Sequence, residues 1–414
     1  MTVSQGVGGV ALPVAAAVPP APVGAVIRPV IRPVIRPVIG PVICVVGARP
    51  NFMKMAPILR ALAAHQPPIP ALLVHTGQHY DQGMSHQLFA DLGLPLPDLN
   101  LEVGSGSHAV QTAEVMRRFE PALDEHQPSC VLVVGDVNST LACTLVAVKK
   151  GVPVAHVEAG LRSYDRKMPE EINRVLTDQV ADRLYTTERS ALDNLLREGV
   201  APERVCFAGN VMIDSLVANR PHARPIADTL RAHGIDPSVI AHAKGYGVVT
   251  LHRPSNVDDA DTLRDLLGVL REISASLPLV FALHPRTRNN IDRFGLAGLI
   301  DSGRMALLPP QGYLEMLGLM RDATLVLTDS GGLQEETTAL GVPCLTLREN
   351  TERPITAEQG TNTLVGRDAA AIRRGVAEIL AGQGKQGRVP ELWDGRAADR
   401  IAADLWLWLR AGAP

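Results

Sequence analysis

From Pro41 onward, unbroken apolar runs alternate with helical stretches, and each run ends in small or polar residues. PVICVVGARP, ALLVHTGQ, CVLVVGD and GVPVAHVEAG read as strands. Their apolar character is continuous rather than alternating, as expected of parallel strands covered on both faces by helices. PNFMKMAPILRALAAH, the stretch around Val110 to Arg118, and TLACTLVAVKK read as the helices between them. A two-proline segment, RPHARPIADTLRAHGI, interrupts the pattern and reads as a crossover. The alternation then restarts with YGVVTLHRPSN, LPLVFALHPRTRNN, MALLPP, ATLVLTDSGG and VPCLTLREN as strands and LQEETTALG as a helix.

This pattern predicts an α/β protein of two doubly wound, Rossmann-like domains facing a central cleft, residues 41–218 and 219–390. Ligands are expected beyond the carboxyl ends of the strands. Residues 391–414 carry Ile401, Leu405 and Leu409 at helical spacing, a helix expected to pack back across the domain junction. Residues 1–40 differ: an uncharged Ala/Val/Pro/Gly-rich stretch leads into VIRPVIRPVIRPVIGPV. Proline at every fourth residue forbids helix and regular strand pairing, so a disordered extension is expected. It lacks the basic start and unbroken apolar stretch of a signal peptide.

Composition adds exclusions. A chain of 414 residues, 46% apolar and 20% charged, is an ordinary globular chain of two-domain length. A net charge of -3 offers no general attraction to nucleic acid or anionic membrane. No apolar segment is long enough to span a bilayer without proline or charge. The five cysteines show no C-x-x-C spacing, and Cys44, Cys130 and Cys344 read as core residues of a reduced, cytoplasmic protein.

Candidate chemistry gathers at the strand ends. In DSGGLQEETTALG, Asp329 ends a strand, Ser330, Gly331 and Gly332 turn, and a helix begins. Its free N–H groups and positive dipole end suit an anion. Glu336, one turn past Gly332, is placed to take a ribose hydroxyl pair. A capped helix in any α/β protein reads the same way; a carboxylate beside the anion site favours a nucleotide diphosphate. Arg49 and Lys54 follow the first strand, His252 and Arg253 another, His284, Arg286 and Arg288 a third, and Arg348 and Arg353 follow VPCLTL. Arginines there are often mere surface ion pairs; on both facing edges they suggest a pyrophosphate clamp.

HVEAGLRSYDRKMPEEINR packs four acids, four cations and a histidine just beyond a strand. Asp136 and Glu158 end neighbouring strands. Glu170 and Arg174, spaced i,i+4, share a face of a helix starting at Pro169, with Ile172, Val175 and Leu176 expected on its buried side. Glutamate at a helix start is usually a dipole partner; three carboxylates at one ligand edge, opposite a phosphate site, favour acid/base work. No His/Cys cluster has metal-ligand spacing, so no metal is expected.

Taken in order, GARPNFMKMAP, TGQHYDQGMS, GDVNSTLA, HVEAGLRSYDRKMPEEINR, GNVMIDSL, TLHRPSNVDD, HPRTR and DSGGLQEETTALGVPCLTLRENTERP resemble the non-hydrolysing UDP-N-acetylglucosamine 2-epimerases over roughly Ile43 to Gly366. The resemblance implies the glycosyltransferase-B fold. It also implies cofactor-free inversion at C2 of a UDP-linked 2-acetamido sugar, through elimination of UDP to 2-acetamidoglucal and re-addition. It implies Asp136, Glu158 and Glu170 as the acid/base set, with His252 near the phosphates. Arg49, Lys54, Arg174, Arg286, Tyr313, Met316, Ser330, Gly331, Gly332, Glu336 and Arg353 are implied to hold UDP or the sugar, and relatives are commonly homodimers. The chain departs from the family at Met316, where several members carry phenylalanine against the uracil. It departs also at Asp81, where members with an allosteric substrate site carry glutamine, so allosteric activation is not expected. GARPNF, TGQHYDQGMS and SYDRKMPEE also resemble epimerases of UDP-2,3-diacetamido-glucuronic acid, the nearest alternative substrate. A UDP-sugar glycosyltransferase shares the fold but usually manages with one base.

Overall fold

The computed structural model describes residues 40–78, 89, 91–301 and 304–413. The VIRP extension and Asp81 lie outside them. The first sheet contains β1 (Val42–Val46), β2 (Ala71–His75), β3 (Leu99–Asn100), β4 (Cys130–Val134), β5 (Val154–Ala159), β6 (Arg183–Thr186) and β7 (Val205–Phe207). They pair in the order β3-β2-β1-β4-β5-β6-β7, all parallel. The second sheet contains β8 (Gly247–Thr250), β9 (Leu279–Ala282), β10 (Met305–Leu308), β11 (Leu325–Thr328), β12 (Cys344–Thr346) and β13 (Asn362–Leu364), in the parallel order β10-β9-β8-β11-β12-β13. The architecture is the glycosyltransferase-B fold, two doubly wound sheets.

Every residue of β1, β4 and β5 is buried, because helices cover both faces of a parallel sheet. Strand order reverses between β1 and β4 in one sheet and between β8 and β11 in the other. A crevice opens beyond the strand ends at such a reversal. Arg49 and Asp136 follow the first pair; His252 and Ser330 follow the second.

The two halves share buried surface. Tyr313 and Leu317, from the second half, sit in one apolar cluster with Met55, Ile58 and Leu62 of the first. Ile401 and Leu405 of the last helix, Ala397–Arg410, join them. Asp404 on that helix receives hydrogen bonds from Arg183 Nε at 2.8 Å and from the Tyr185 hydroxyl at 2.9 Å. No helix of the described residues is long and apolar enough to cross a membrane.

One expectation fails. On helix Pro169–Val180, Ile172 and Leu176 are exposed, Val175 is half-buried, and the buried face carries Glu171, Asn173, Arg174, Thr177 and Asp178. Helical periodicity identifies two faces but not which one is inward. Here the inward face lies against the strand ends rather than an apolar core, and Glu171, Asn173, Arg174 and Asp178 on it are all paired.

Candidate active site

Glu158, next to last in β5, has φ 75°, in the left-handed region, where a side chain costs about 1–3 kcal/mol. A register shift between Val157 and Ala159 accompanies it. The carboxylate pairs with Lys54 from helix Arg49–Ala64 and, across the cleft, with Arg353. Burial pushes it up, but Lys54 and Arg353 more than offset that and hold it below the ordinary carboxylate value. Gly135 (φ 66°) explains how the groups fit, since a Cβ there would lie 3.1 Å from Lys54 Nζ and 3.5 Å from Glu158 Oε2. A side chain at that point would crowd the pair.

Asp136, after Gly135, bonds Arg174, whose guanidinium also donates to Glu171 Oε2 at 2.7 Å. Glu171 further accepts from the backbone N–H groups of Ser163 (3.0 Å) and Tyr164 (2.8 Å), so it anchors the loop before its helix. The structure thus gives Arg174 the neighbouring Glu171 as its partner. Glu170 is half-buried and makes no hydrogen bond or ion pair with another described residue.

Arg353 directly precedes helix Pro354–Glu358 and forms an ion pair, Nε to Glu335 Oε1, at 2.9 Å. Asn210 donates to the same Glu335 oxygen at 2.7 Å. Burial lowers the Arg353 affinity for its proton, but Glu335 and Glu158 raise it well above the ordinary value. Its Nη1 is buried without a partner among the described residues. Glu352 pairs with Arg348 at 2.8 Å; burial pushes its carboxyl up, but Arg353 and Arg348 hold it well below the usual range.

The anion-ready turn is present. Helix Gly331–Leu340 starts after Ser330, which makes no side-chain cap, so first-turn N–H groups stay available. A Cβ at Gly331 would collide with Glu352, whereas Gly332 has room. Asp329 is buried and accepts from the His252 and Arg253 backbone N–H groups (3.0 and 2.9 Å) and pairs with His252 Nδ1 at 2.8 Å. That bond leaves Nε2 of the partly exposed ring as its outward nitrogen. Glu336 is fully buried, with Oε1 unpartnered among the described residues, and burial pushes its carboxyl up to about 7 against the opposing Tyr313 hydroxyl. Arg49 donates to the Gln311 carbonyl at 3.0 Å, joining the two halves.

Two predicted residues, Arg286 and Met316, stand apart from this cluster. Arg286 is half-exposed and donates to Asp258 Oδ1 at 2.7 Å. The Tyr313 ring lies in the shared core with its hydroxyl beside Glu336, whereas Met316 packs on the core of the second half. A cavity of about 590 Å³ lined by Glu188, Phe207, Glu358 and Arg388 contains none of the predicted residues. Sequence reading missed Glu335, Glu352 and Asn210. All three sit beside a predicted residue or at a helix start, yet only the tertiary fold turns them toward Arg353.

Facing doubly wound sheets, with paired buried acids on one edge and an anion-ready helix start on the other, are the arrangement of a nucleotide-sugar enzyme. A family model described as UDP-N-acetylglucosamine 2-epimerase matches residues 61–405, and the chain belongs to that family. It is 41% identical over 360 residues to the UDP-N-acetylglucosamine 2-epimerase of Methanocaldococcus jannaschii, covering 86% of this chain and 96% of the relative. It is likewise 41% identical over 327 residues to a UDP-2,3-diacetamido-2,3-dideoxy-D-glucuronate 2-epimerase of Pseudomonas aeruginosa (78% and 88%). A crystal structure of the M. jannaschii UDP-GlcNAc 2-epimerase in complex with UDP-GlcNAc and UDP superposes with a TM-score of 0.79 at 39% identity, covering 89% and 99%.

Proposed function

We propose that this epimerase interconverts UDP-N-acetylglucosamine and UDP-N-acetylmannosamine without a cofactor, in the cytoplasm and as a homodimer. A carboxylate takes the C2 proton, the C1–O bond to UDP breaks, and a C1=C2 double bond forms. A second acid then protonates C2 on the opposite face as the UDP oxygen re-forms the bond to C1. The C2 hydrogen has no adjacent carbonyl, so its removal depends on placement of the base and on stabilisation of the departing diphosphate.

The observation that carries this reading is the buried pairing of Glu158 with both Lys54 and Arg353, the latter from the opposite sheet. It places an ionised carboxylate beside cations suited to the leaving diphosphate. Asp136, held by Arg174, and Glu158 are the acid/base pair, with Glu170 a third acid at the rim. His252, Arg49, Arg353 and the Ser330–Gly332 turn take the diphosphate, and Glu336 the ribose. The similarity to the P. aeruginosa enzyme supports a second substrate, the diacetamido-glucuronate sugar.

Proton NMR in D₂O with each UDP-sugar tests both. UDP-N-acetylmannosamine appearing with deuterium at C2 of both epimers supports the first reading. Turnover confined to the glucuronate sugar would replace it with the second. Release of free N-acetylmannosamine would mean that water intercepts the intermediate.

A further inference from the structure

His156 on β5 is wholly buried, and both its ring nitrogens have partners. Nδ1 lies 2.7 Å from Asp178 Oδ1, and Nε2 lies 2.8 Å from the Gly135 carbonyl oxygen. Burial pushes the Asp178 carboxyl up, but His156, Arg162 and the Gly160 N–H more than offset it and keep it ionised below the ordinary value. A carboxylate and a carbonyl can only accept, so both bonds require a proton on each ring nitrogen. The charges alternate further outward. Asp178 Oδ2 pairs with Arg162 at 2.8 Å, and Arg162 donates to both oxygens of Glu198, at 2.8 and 2.6 Å. A buried cation flanked this way is compensated.

The placement of this string matters more than its charge. Gly135 directly precedes Asp136. Asp178 Oδ2 also accepts from the Gly160 N–H at 3.0 Å, two residues beyond the strained Glu158. Asp178 lies one turn along the helix from Arg174, whose guanidinium holds Asp136. One carboxylate therefore ties the turn after Glu158 directly, and the loop before Asp136 through His156, to the helix that presents Arg174.

We propose that His156, as an imidazolium paired with Asp178, is a positioning residue that sets the separation of Asp136 and Glu158. The proposal rests on the acid/base roles given to those two residues above. His156 touches no reacting atom; it holds the Gly135 carbonyl while Asp178 holds the Gly160 N–H. Removing either member lets the two acids drift relative to one another without disturbing the nucleotide-facing edge of the second sheet.

The test combines a spectrum with kinetics. In histidine-¹⁵N-labelled enzyme at neutral pH, the His156 signal, assigned by its loss in His156→Gln, shows two protonated ring nitrogens. Asp178→Asn leaves that ring with one. Both variants lose kcat on the order of 100-fold, the scale of a small misplacement of reacting groups, while UDP affinity by calorimetry is unchanged. A neutral His156 tautomer in the unaltered enzyme, or wild-type kcat in folded His156→Gln, overturns the proposal. If His156→Gln fails to fold, Asp178→Asn supplies both the assignment and the kinetic comparison. Activity retained in Asp136→Asn and Glu158→Gln would instead refute the acid/base roles, a result the His156 spectrum does not depend on.

Discussion

Arg353 and Glu158 meet across the cleft as an ion pair between the two halves of the molecule, each no more than 5% exposed. Removing one member of such a pair leaves the other buried and uncompensated, which costs about 3–5 kcal/mol. Lys54 remains on Glu158, so the lower end applies. Arg353→Met is expected to lower kcat/KM by about 100-fold or more and to weaken UDP binding. Arg353→Lys should recover little, because one ammonium cannot present the forked guanidinium to Glu158 and Glu335 together. Calorimetry with UDP and initial rates check this; equal behaviour of the lysine variant and wild type would mean that fork geometry plays no part.

The proposed placement of two acids on opposite faces of C2 makes a prediction that one acid does not. Glu158→Gln and Asp136→Asn should each slow epimerisation by about 10²–10⁴-fold, the usual contribution of a positioned proton carrier. Each variant still has one working acid, so each should exchange the C2 hydrogen of one epimer with D₂O without inverting it. The epimer that exchanges should differ between the variants. Exchange of the same epimer in both would sink the two-face assignment.

Much of this site was legible because it lies at strand ends, where sequence marks both the apolar run and its polar terminus. β1, β4, β5, β8 and β11 are such runs, and their termini supply Arg49, Asp136, Glu158, His252 and Ser330. Strands β3, β6, β7 and β13 were not legible, since they lie at or next to a sheet edge, are not wholly buried, and so lack a long apolar run. The helix Pro169–Val180 was read with its faces reversed, because Ile172 and Leu176 look like a core stripe until the polar strand-end environment of Arg174 and Asp178 is known. Glu335 and Asn210 were missed for a related reason: their roles depend on contact between halves, 125 residues apart in the chain.

Glu336 gives a pH signature in the absence of nucleotide. Burial raises its carboxyl from 4.5 to about 7 in the folded chain. The folded state then keeps a proton that the unfolded chain releases between those values, so stability falls as pH rises from about 4.5 to about 7 and stays reduced above. The cost is at most about 3 kcal/mol. Glu336→Gln should therefore melt higher than wild type at pH 8, with the difference closing toward pH 5, while binding UDP more weakly. Glu188, also raised by burial to about 7, keeps a smaller slope in the variant. Melting curves that coincide at both pH values would show that the Glu336 carboxyl is not penalised by burial.

The last helix is fastened by a carboxylate from a distant element. Asp214 accepts from the Ala397 N–H at 3.1 Å and the Ala398 N–H at 2.7 Å, satisfying two first-turn donors of helix Ala397–Arg410. Arg396, at the cap position itself, offers no side-chain acceptor, so Asp214 takes the role that a capping residue normally fills. Asp214→Ala is expected to destabilise the protein by about 1–2 kcal/mol and to speed amide exchange over residues 397–410 ahead of the sheets. Asp214→Asn keeps one acceptor oxygen and should lose less. Because Ile401 and Leu405 lie in the same apolar cluster as helix Arg49–Ala64, loosening this end should reach the element that carries Arg49 and Lys54. A modest fall in UDP affinity should then accompany the faster exchange. Faster exchange with unchanged UDP binding would confine the cap to stability alone, and unchanged exchange would show that apolar packing holds the helix without it.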